Sequence, residues 1–246
     1  MKAIIFSAGL GTRLKPWTDH HPKALALVNG KSLLQRNIEY LQQFNISEVV
    51  VNVHHFAGQI VEAVKQNKGW GSHVTISDET EEVLETGGGL LKARKLLEGN
   101  GPFLSLNADI LTNLDINKLI AFHNLHKPLV SFAVSQRKTS RYILLNEQNR
   151  MCGWRNEKTG EEKGPHLNPV KSGVTKPLLH PAAYDCVVIY EPGIFPLMKQ
   201  EGKFSIMDTY LQLAADHQIM GYDHSGDKWV DVGKPESIAT AEKYFG

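Results

Sequence analysis

The apolar run Ala3 to Phe6 leads straight into Ala8-Gly9-Leu10-Gly11-Thr12-Arg13-Leu14-Lys15-Pro16, and Pro22-Lys23 follows a few residues on. Glycines at 9 and 11 permit a tight turn whose N–H groups can face phosphate oxygens with no Cβ in the way. Arg13 and Lys23 would add fixed positive charge. The segment matches neither of two common phosphate signatures. The Walker pattern needs Gly-Lys-Ser/Thr after a four-residue gap, and the dinucleotide fingerprint needs a third small residue where Leu14 stands. A bare Gly-x-Gly is equally a simple strand-to-loop turn. Gly-x-Gly-Thr-Arg-x-x-Pro with a downstream Pro-Lys is a narrower pattern.

Two carboxylates stand after apolar runs far apart in the chain. Asp109 follows Pro102 to Leu106, and Asp231 follows Lys228-Trp229-Val230. Carboxylates at two strand ends could converge on Mg²⁺, a hard cation that takes one or two carboxylates plus phosphates and waters. A lone Asp after a strand is also a common turn former or helix cap. Asn107 offers a donor and an acceptor, which suits a sugar hydroxyl or an Asx turn. No Ser-His-Asp or Cys-His arrangement stands out. His54-His55 and His123-x-x-His126 lack a third matched ligand and are read as structural. Trp154 and Trp229 are read as packing residues.

The elements that must position these residues alternate. Ala3 to Phe6, Glu48 to Val53, His73 to Ser77 and Pro102 to Leu106 read as strands. Ser32 to Phe44, Gly58 to Gln66 and a segment opening at Gly87-Gly88-Gly89 read as helices. In the first helix Leu33, Leu34, Ile38, Leu41 and Phe44 share a face. Three consecutive valines at 49–51 suit a strand covered on both sides. Such alternation predicts an α/β fold with a mixed, mainly parallel sheet flanked by helices, and a ligand site beyond the carboxyl ends of the strands. After residue 136 the pattern loosens. Arg141 to Leu145 and Met151 to Arg155 read as a hairpin, and Thr159 to Pro181 as a mobile loop. Tyr184 to Tyr190, a helix near Ile206 to Ala215, a strand near Met220 and a helix from Pro235 to Tyr244 follow.

Composition limits the partners. The 246 residues carry 27 Lys and Arg against 26 Asp and Glu, so no global field attracts nucleic acid or an acidic membrane. Any anion must be held locally. With 41% hydrophobic and 22% charged residues the chain can bury a core. The two cysteines, Cys152 and Cys186, cannot form a disulfide framework; both are expected to be buried small hydrophobes. The first apolar run is too short for a signal-peptide core, and no run reaches a membrane span, so a cytoplasmic location is expected.

Four segments resemble the nucleoside-diphosphate-sugar pyrophosphorylases, or sugar-1-phosphate nucleotidyltransferases. They are Ser7-Ala8-Gly9-Leu10-Gly11-Thr12-Arg13 with Pro22-Lys23, Leu84-Glu85-Thr86-Gly87-Gly88-Gly89, Leu106-Asn107-Ala108-Asp109, and Trp229-Val230-Asp231-Val232-Gly233. They occur in the family's order across nearly the whole chain. The resemblance implies a Rossmann-like nucleotidyltransferase fold in one domain over 1–246. The nucleotide part would take about 1–135 and 219–246, and a sugar-binding lobe about 136–218. It also implies a Mg²⁺-dependent reaction of a nucleoside triphosphate with a sugar 1-phosphate, giving a nucleoside-diphosphate sugar and pyrophosphate for polysaccharide or cell-wall precursors. On this basis Ala8, Gly9, Leu10, Gly11, Thr12, Arg13 and Lys23 hold the triphosphate, with Arg13, Lys23 and Asp109 catalytic. Glu85, Thr86 and Gly88 take the base. Asn107 and Asp185 take the sugar, and Asp109 and Asp231 the metal. The glycine of position 88 would let a flat base lie on the main chain.

The residues fit that chemistry. A sugar phosphate is already anionic at neutral pH, so the protein needs no nucleophile or strong base, only cations and alignment for two anions meeting at the α-phosphorus. The triple glycine most resembles the branch that uridylylates N-acetylmuramic acid 1-phosphate. Guanylyl transfer to mannose 1-phosphate ranks second and cytidylyl transfer to a phosphorylated alcohol third. Ser7 and Ala108 depart slightly from the family's pattern. Tyr184-Asp185-Cys186-Val187 departs more, standing where relatives carry aromatic-Ser/Ala-Gly-Ile near the sugar. Gln136 to Arg141 is either a sugar-phosphate grip or a solvated basic loop. The alternative from another class is a nucleotide-sugar sensor without turnover; retention of both carboxylates with Arg13 and Lys23 speaks against it.

Overall fold

A computed structural model describes residues 1–99, 101–167 and 178–246. In chain order its elements are β1 (Lys2–Phe6), β2 (Leu27–Val28), β3 (Lys31–Ser32), α1 (Leu33–Gln42), β4 (Glu48–Val53), α2 (Ala57–Gln66), β5 (His73–Asp78), α3 (Glu85–Lys92), α4 (Arg94–Leu97), β6 (Phe103–Asn107), β7 (Ile110–Thr112), α5 (Ile116–His126), β8 (Val130–Ser135), β9 (Arg141–Leu145), β10 (Met151–Asn156), β11 (Glu162–Lys163), β12 (His180–Tyr190), α6 (Ile206–Leu213), β13 (Ile219–Asp223), β14 (Trp229–Asp231) and α7 (Pro235–Tyr244).

Alternating side chains of the first strands feed two separate cores. Ile4 and Val50 point to one face with Leu90, Phe103 and Phe132. Ala3, Ile5, Val49 and Val51 point to the other with Leu34, Ile38 and Leu41 of α1. The unbroken valine run is therefore covered on both sides, as expected. Each such side chain contributes about 1.5–3 kcal/mol on burial. The Ser32 hydroxyl starts α1 by accepting from the Gln35 N–H at 3.1 Å, a side-chain N-cap.

Among the described residues the sheet is mixed and runs β11-β10-β9-β12-β6-β1-β4-β5, with β8 against β12 and β13 against β8. Strands β6, β1, β4 and β5 are mutually parallel. The antiparallel pairs gather around β12. Its second half pairs β6, Val187 opposite Leu106, while its first half pairs β9, Ala183 opposite Tyr142. The ladder to β8 breaks between Tyr184 and Val188. Strands β6 and β9 thus part on one side of β12, and a cleft opens between them. Cys186 at the break has a φ of +63°, a left-handed conformation that only a locally enforced geometry sustains in a non-glycine residue.

Two stretches differ from the sequence reading. Within Thr159 to Pro181, read as a loop, Glu162–Lys163 pair with β10, and His180 and Pro181 already belong to β12. The hairpin β9–β10 leaves an open edge on each side, and these segments satisfy both. Residues 168–177 of that stretch lie outside the described residues. Helix α5 and strand β8 fill 116–135, a stretch to which the sequence reading assigned no element. No helix among the described residues is long and apolar enough to cross a membrane.

Candidate active site

Two adjoining cavities lie at the carboxyl ends of β1 and β6. One, of about 550 Å³, occupies the cleft beside β12; its walls include Asn107, Arg137, Trp154, Tyr184, Cys186 and Met207. The other, of about 200 Å³, is walled by Ser7, Ala8, Gly9, Lys23, Glu85 and Asp109 among others. Phe6, Thr86 and Asn107 border both. Asn107 ends β6 opposite Phe6, where a side chain can face either cavity.

The two distant carboxylates meet through β-pairing. Strand β14 runs antiparallel to β7 with Asp231 opposite Ile110, and the Val232 N–H donates to the Asp109 carbonyl at 2.8 Å. A small core of Leu14, Val28, Leu33, Leu111, Val230 and Val232 fixes this pair of strands to the segment after Gly11. Lys23 Nζ then donates to Asp109 Oδ2 and lies 3.9 Å from Asp231 Oδ1, while Arg13 Nη2 lies 3.3 Å from Asp231 Oδ2. Asp231 Oδ1 is buried without a hydrogen-bond partner among the described residues. A Cβ on Gly233 would stand 2.6 Å from both Arg13 Nη2 and that oxygen, so a side chain there would displace the pair. No three His, Cys, Asp or Glu side chains converge as a metal cage among the described residues. A hard cation here would take the two carboxylates and complete its shell with phosphate oxygens and water. The orphaned Asp231 oxygen beside Asp109 suits such an ion.

The glycine-rich segment divides its labour. Ala8 and Gly9 line the smaller cavity, and a Cβ at Gly9 would meet open space. Gly11 has a φ of +63°, and a Cβ there would stand 2.9 Å from Thr18 Cγ2 and 3.0 Å from Lys23 Cβ. It therefore seats Lys23 instead of lining the cavity. Leu10 is solvent-exposed and Thr12 opens a short 3₁₀ turn; neither borders a cavity. Glu85 and Thr86 do border the smaller cavity. Gly88 does not. A Cβ on Gly88 would lie 2.2 Å from the Gly202 carbonyl oxygen, and one on Gly87 2.3 Å from the Phe204 ring. The close approach that these glycines permit is to the chain's own 202–204 segment, which corrects the expectation of a base resting on Gly88.

Asp185 likewise does not face the sugar side directly. It is fully buried, accepting from Arg137 Nε at 2.6 Å on one oxygen, with His224 Nε2 2.9 Å from the other. Arg137 borders the larger cavity in its stead. Trp229 is no mere packing residue: its ring centre lies 3.8 Å from the Arg137 guanidinium carbon, and its indole N–H donates to the Asp185 carbonyl at 3.1 Å. Trp154 borders the larger cavity. Of the cysteines, Cys152 is buried as expected, but Cys186 is half-buried and borders the larger cavity; desolvation pushes its thiol well up. Of the paired histidines, His123 bonds Ser131 and Glu191, and His54 Nδ1 donates to the Glu79 carbonyl at 2.6 Å.

A buried polar network behind the smaller cavity escaped the sequence reading. The Ser7 N–H donates to Asn52 Oδ1 at 2.6 Å, and Asn52 Nδ2 donates to Glu79 Oε1 at 2.8 Å. Burial pushes the Glu79 carboxyl up, and its Oε2 has no partner. A Cβ on Gly89 would stand 2.7 Å from Glu79 Oε1, so the third glycine makes room for this carboxyl. The signal available was Asn52, a lone amide in an otherwise apolar strand.

Residues 2–245 match the family model described as nucleotidyl transferase. The chain belongs to the nucleotidyl transferase family. A curated relative of this nucleotidyl transferase, the N-acetylmuramate alpha-1-phosphate uridylyltransferase of Neisseria meningitidis, is 40% identical over all of this chain and 99% of its own length. A probable mannose-1-phosphate guanylyltransferase of Arabidopsis thaliana is 30% identical over all of this chain and 65% of its own. The crystal structure of HddC from Yersinia pseudotuberculosis complexed with GMP-PN covers the whole chain and 99% of its own with a TM-score of 0.77 at 21% identity, which supports the fold.

Proposed function

We propose that this nucleotidyl transferase is a Mg²⁺-dependent uridylyltransferase that joins UTP to the 1-phosphate of N-acetylmuramate or a similar acidic sugar, releasing pyrophosphate. The observation that carries this reading is the gathering of Asp109, Asp231, Lys23 and Arg13 into one cluster, of which Asp109 and Lys23 wall the smaller cavity. The full-length likeness to a uridylyltransferase supports the base and sugar choice. Arg137 and Arg141 along the larger cavity suit a sugar that carries a carboxylate besides its phosphate.

The triphosphate would lie along Ala8 and Gly9 with its base toward Glu85 and Thr86, and the sugar in the larger cavity against Asn107. An oxygen of the sugar phosphate attacks the α-phosphorus; that bond forms as the α–β bridging bond breaks, and the electron pair leaves with pyrophosphate. No side chain has to remove a proton, because the attacking oxygen is already ionised. Arg13 and Lys23 offset charge at the reacting phosphates, and fixed donors there are worth two to three orders of magnitude, on the order of 3–4 kcal/mol. Asp109 and Asp231 would hold Mg²⁺, which when bound supplies charge neutralisation and alignment of the phosphates.

The test is pyrophosphate release across UTP, GTP and CTP, each with N-acetylmuramate, mannose and glucose 1-phosphates and with Mg²⁺. Fastest turnover with UTP and the acidic sugar is expected. Preference for GTP and mannose 1-phosphate would replace this reading with the guanylyl one. No turnover despite tight nucleotide-sugar binding would point to a sensor.

A further inference from the structure

We propose that Arg137 is the residue that grips the phosphate of the incoming sugar, and that Asp185 and His224 are positioning residues whose role is to hold it. The proposal rests on the function just given, and on four observations. First, Arg137 is immobilised from several sides. Its Nε donates to Asp185 Oδ1 at 2.6 Å, its Nη2 donates to the Tyr184 carbonyl at 2.8 Å, and its guanidinium carbon lies 3.8 Å from the Trp229 ring centre. Guanidinium has five donors, and the rest find no partner among the described residues while the side chain borders the larger cavity. Arg141 and Lys163 border the same cavity, but both are exposed and Lys163 is spent on Glu161 at 2.9 Å.

Second, the carboxylate behind Arg137 is fully buried, a placement that is unfavourable unless both oxygens are engaged. They are: Arg137 takes one and His224 the other. His224 is itself buried, with Asp227 3.4 Å from its second ring nitrogen. A neutral core would be simpler, so the buried pair is best explained by what it aims. Third, the backbone is bent to the same end. Where the ladder to β8 breaks, Tyr184 and Cys186 border the cavity while Asp185 between them is fully buried, so the arginine occupies the front. Fourth, Trp229 stands two residues before Asp231, so the ring under Arg137 belongs to the strand that carries a proposed metal carboxylate. The arginine is thus fixed relative to the reacting centre, on its sugar side, where the attacking phosphate must sit.

Equilibrium titration reads this without needing turnover. The full chain, wild type and variants, is titrated with N-acetylmuramate 1-phosphate, with glucose 1-phosphate and with UTP. Arg137→Lys keeps a charge for Asp185 but loses the fork, and Asp185→Asn keeps the volume but loses the charge. Both are expected to weaken the sugar phosphates at least about tenfold and to leave UTP within about twofold. His224→Ala should weaken the sugar phosphates as well, and His224→Gln, which can still donate to Asp185, should restore most of the loss. A purely structural role would lower UTP binding in parallel. Unchanged sugar-phosphate binding in Arg137→Lys, equal losses for UTP, or no binding of either sugar phosphate by the wild type would overturn the assignment. Arginine-dependent binding without pyrophosphate release would keep it and remove only the transferase reading.

Discussion

Replacing Lys23 by Met separates two roles that one ammonium combines. Lys23 is 12% exposed and is the ion-pair partner of Asp109, itself 25% exposed, while also facing Asp231 at 3.9 Å. At that distance the gross attraction is about 4 kcal/mol for an effective dielectric constant near 20. Desolvation of the partners offsets much of it, and because Asp109 retains water the net loss on substitution is about 2 kcal/mol, below the 3–5 typical of a fully buried broken pair. For a chain of this size that lowers Tm by roughly 4–8 °C. The same ammonium occupies the carboxylates a divalent cation needs. Without nucleotide, Mg²⁺ should therefore stabilise Lys23→Met more than wild type; saturation at a hundred times Kd is worth about 2.7 kcal/mol. Thermal unfolding of both proteins with and without Mg²⁺ provides the comparison, and turnover should fall at least about a hundredfold. An equal Mg²⁺ shift in the two proteins, or an unchanged Tm, would refute the shared-carboxylate reasoning.

Gly88→Ala should cost about 1–3 kcal/mol, read as a lower Tm, because its Cβ meets a backbone oxygen at 2.2 Å. If the glycine serves packing, the KM for the nucleotide among surviving molecules changes far less than stability. Glu79→Gln tests the buried carboxyl. Its value in the fold is raised by burial, so the native state holds a proton that the unfolded chain releases, and stability is lost as pH rises from the ordinary carboxyl value near 4.5 through the raised one. Glutamine has no such loss, so its Tm advantage should widen with pH across that window; a constant difference would contradict the assignment.

Much of the architecture was legible in the sequence because burial on both faces writes itself as uninterrupted valine, and helices as leucine at helical spacing. The candidate phosphate segment stood out because Gly9, Gly11, Arg13 and Lys23 follow the first strand directly. Four things were not. The glycines of α3 could accommodate a ligand or the chain itself, and spacing cannot tell which; Gly202 and Phe204, far along the chain, decide it. Asp185 stood out as unusual, but its burial rests on Arg137 and His224, partners far along the chain that no local period marks. The network of Ser7, Asn52 and Glu79 joins three segments, so each residue alone read as ordinary. Pairing of Asp109 with Asp231 was expected, yet its device, a short sheet of β7 and β14, was not.

Single-turnover pyrophosphate release from Asp109→Asn, Asp231→Asn and the double variant, with saturating UTP and N-acetylmuramate 1-phosphate, most directly probes whether one charged cluster performs the transfer. Each single variant should be slower by at least about a hundredfold, and the double variant little slower than the worse of the two, because residues acting as one unit are not additive. Near-normal rates in both single variants, or losses that multiply in the double, would contradict it.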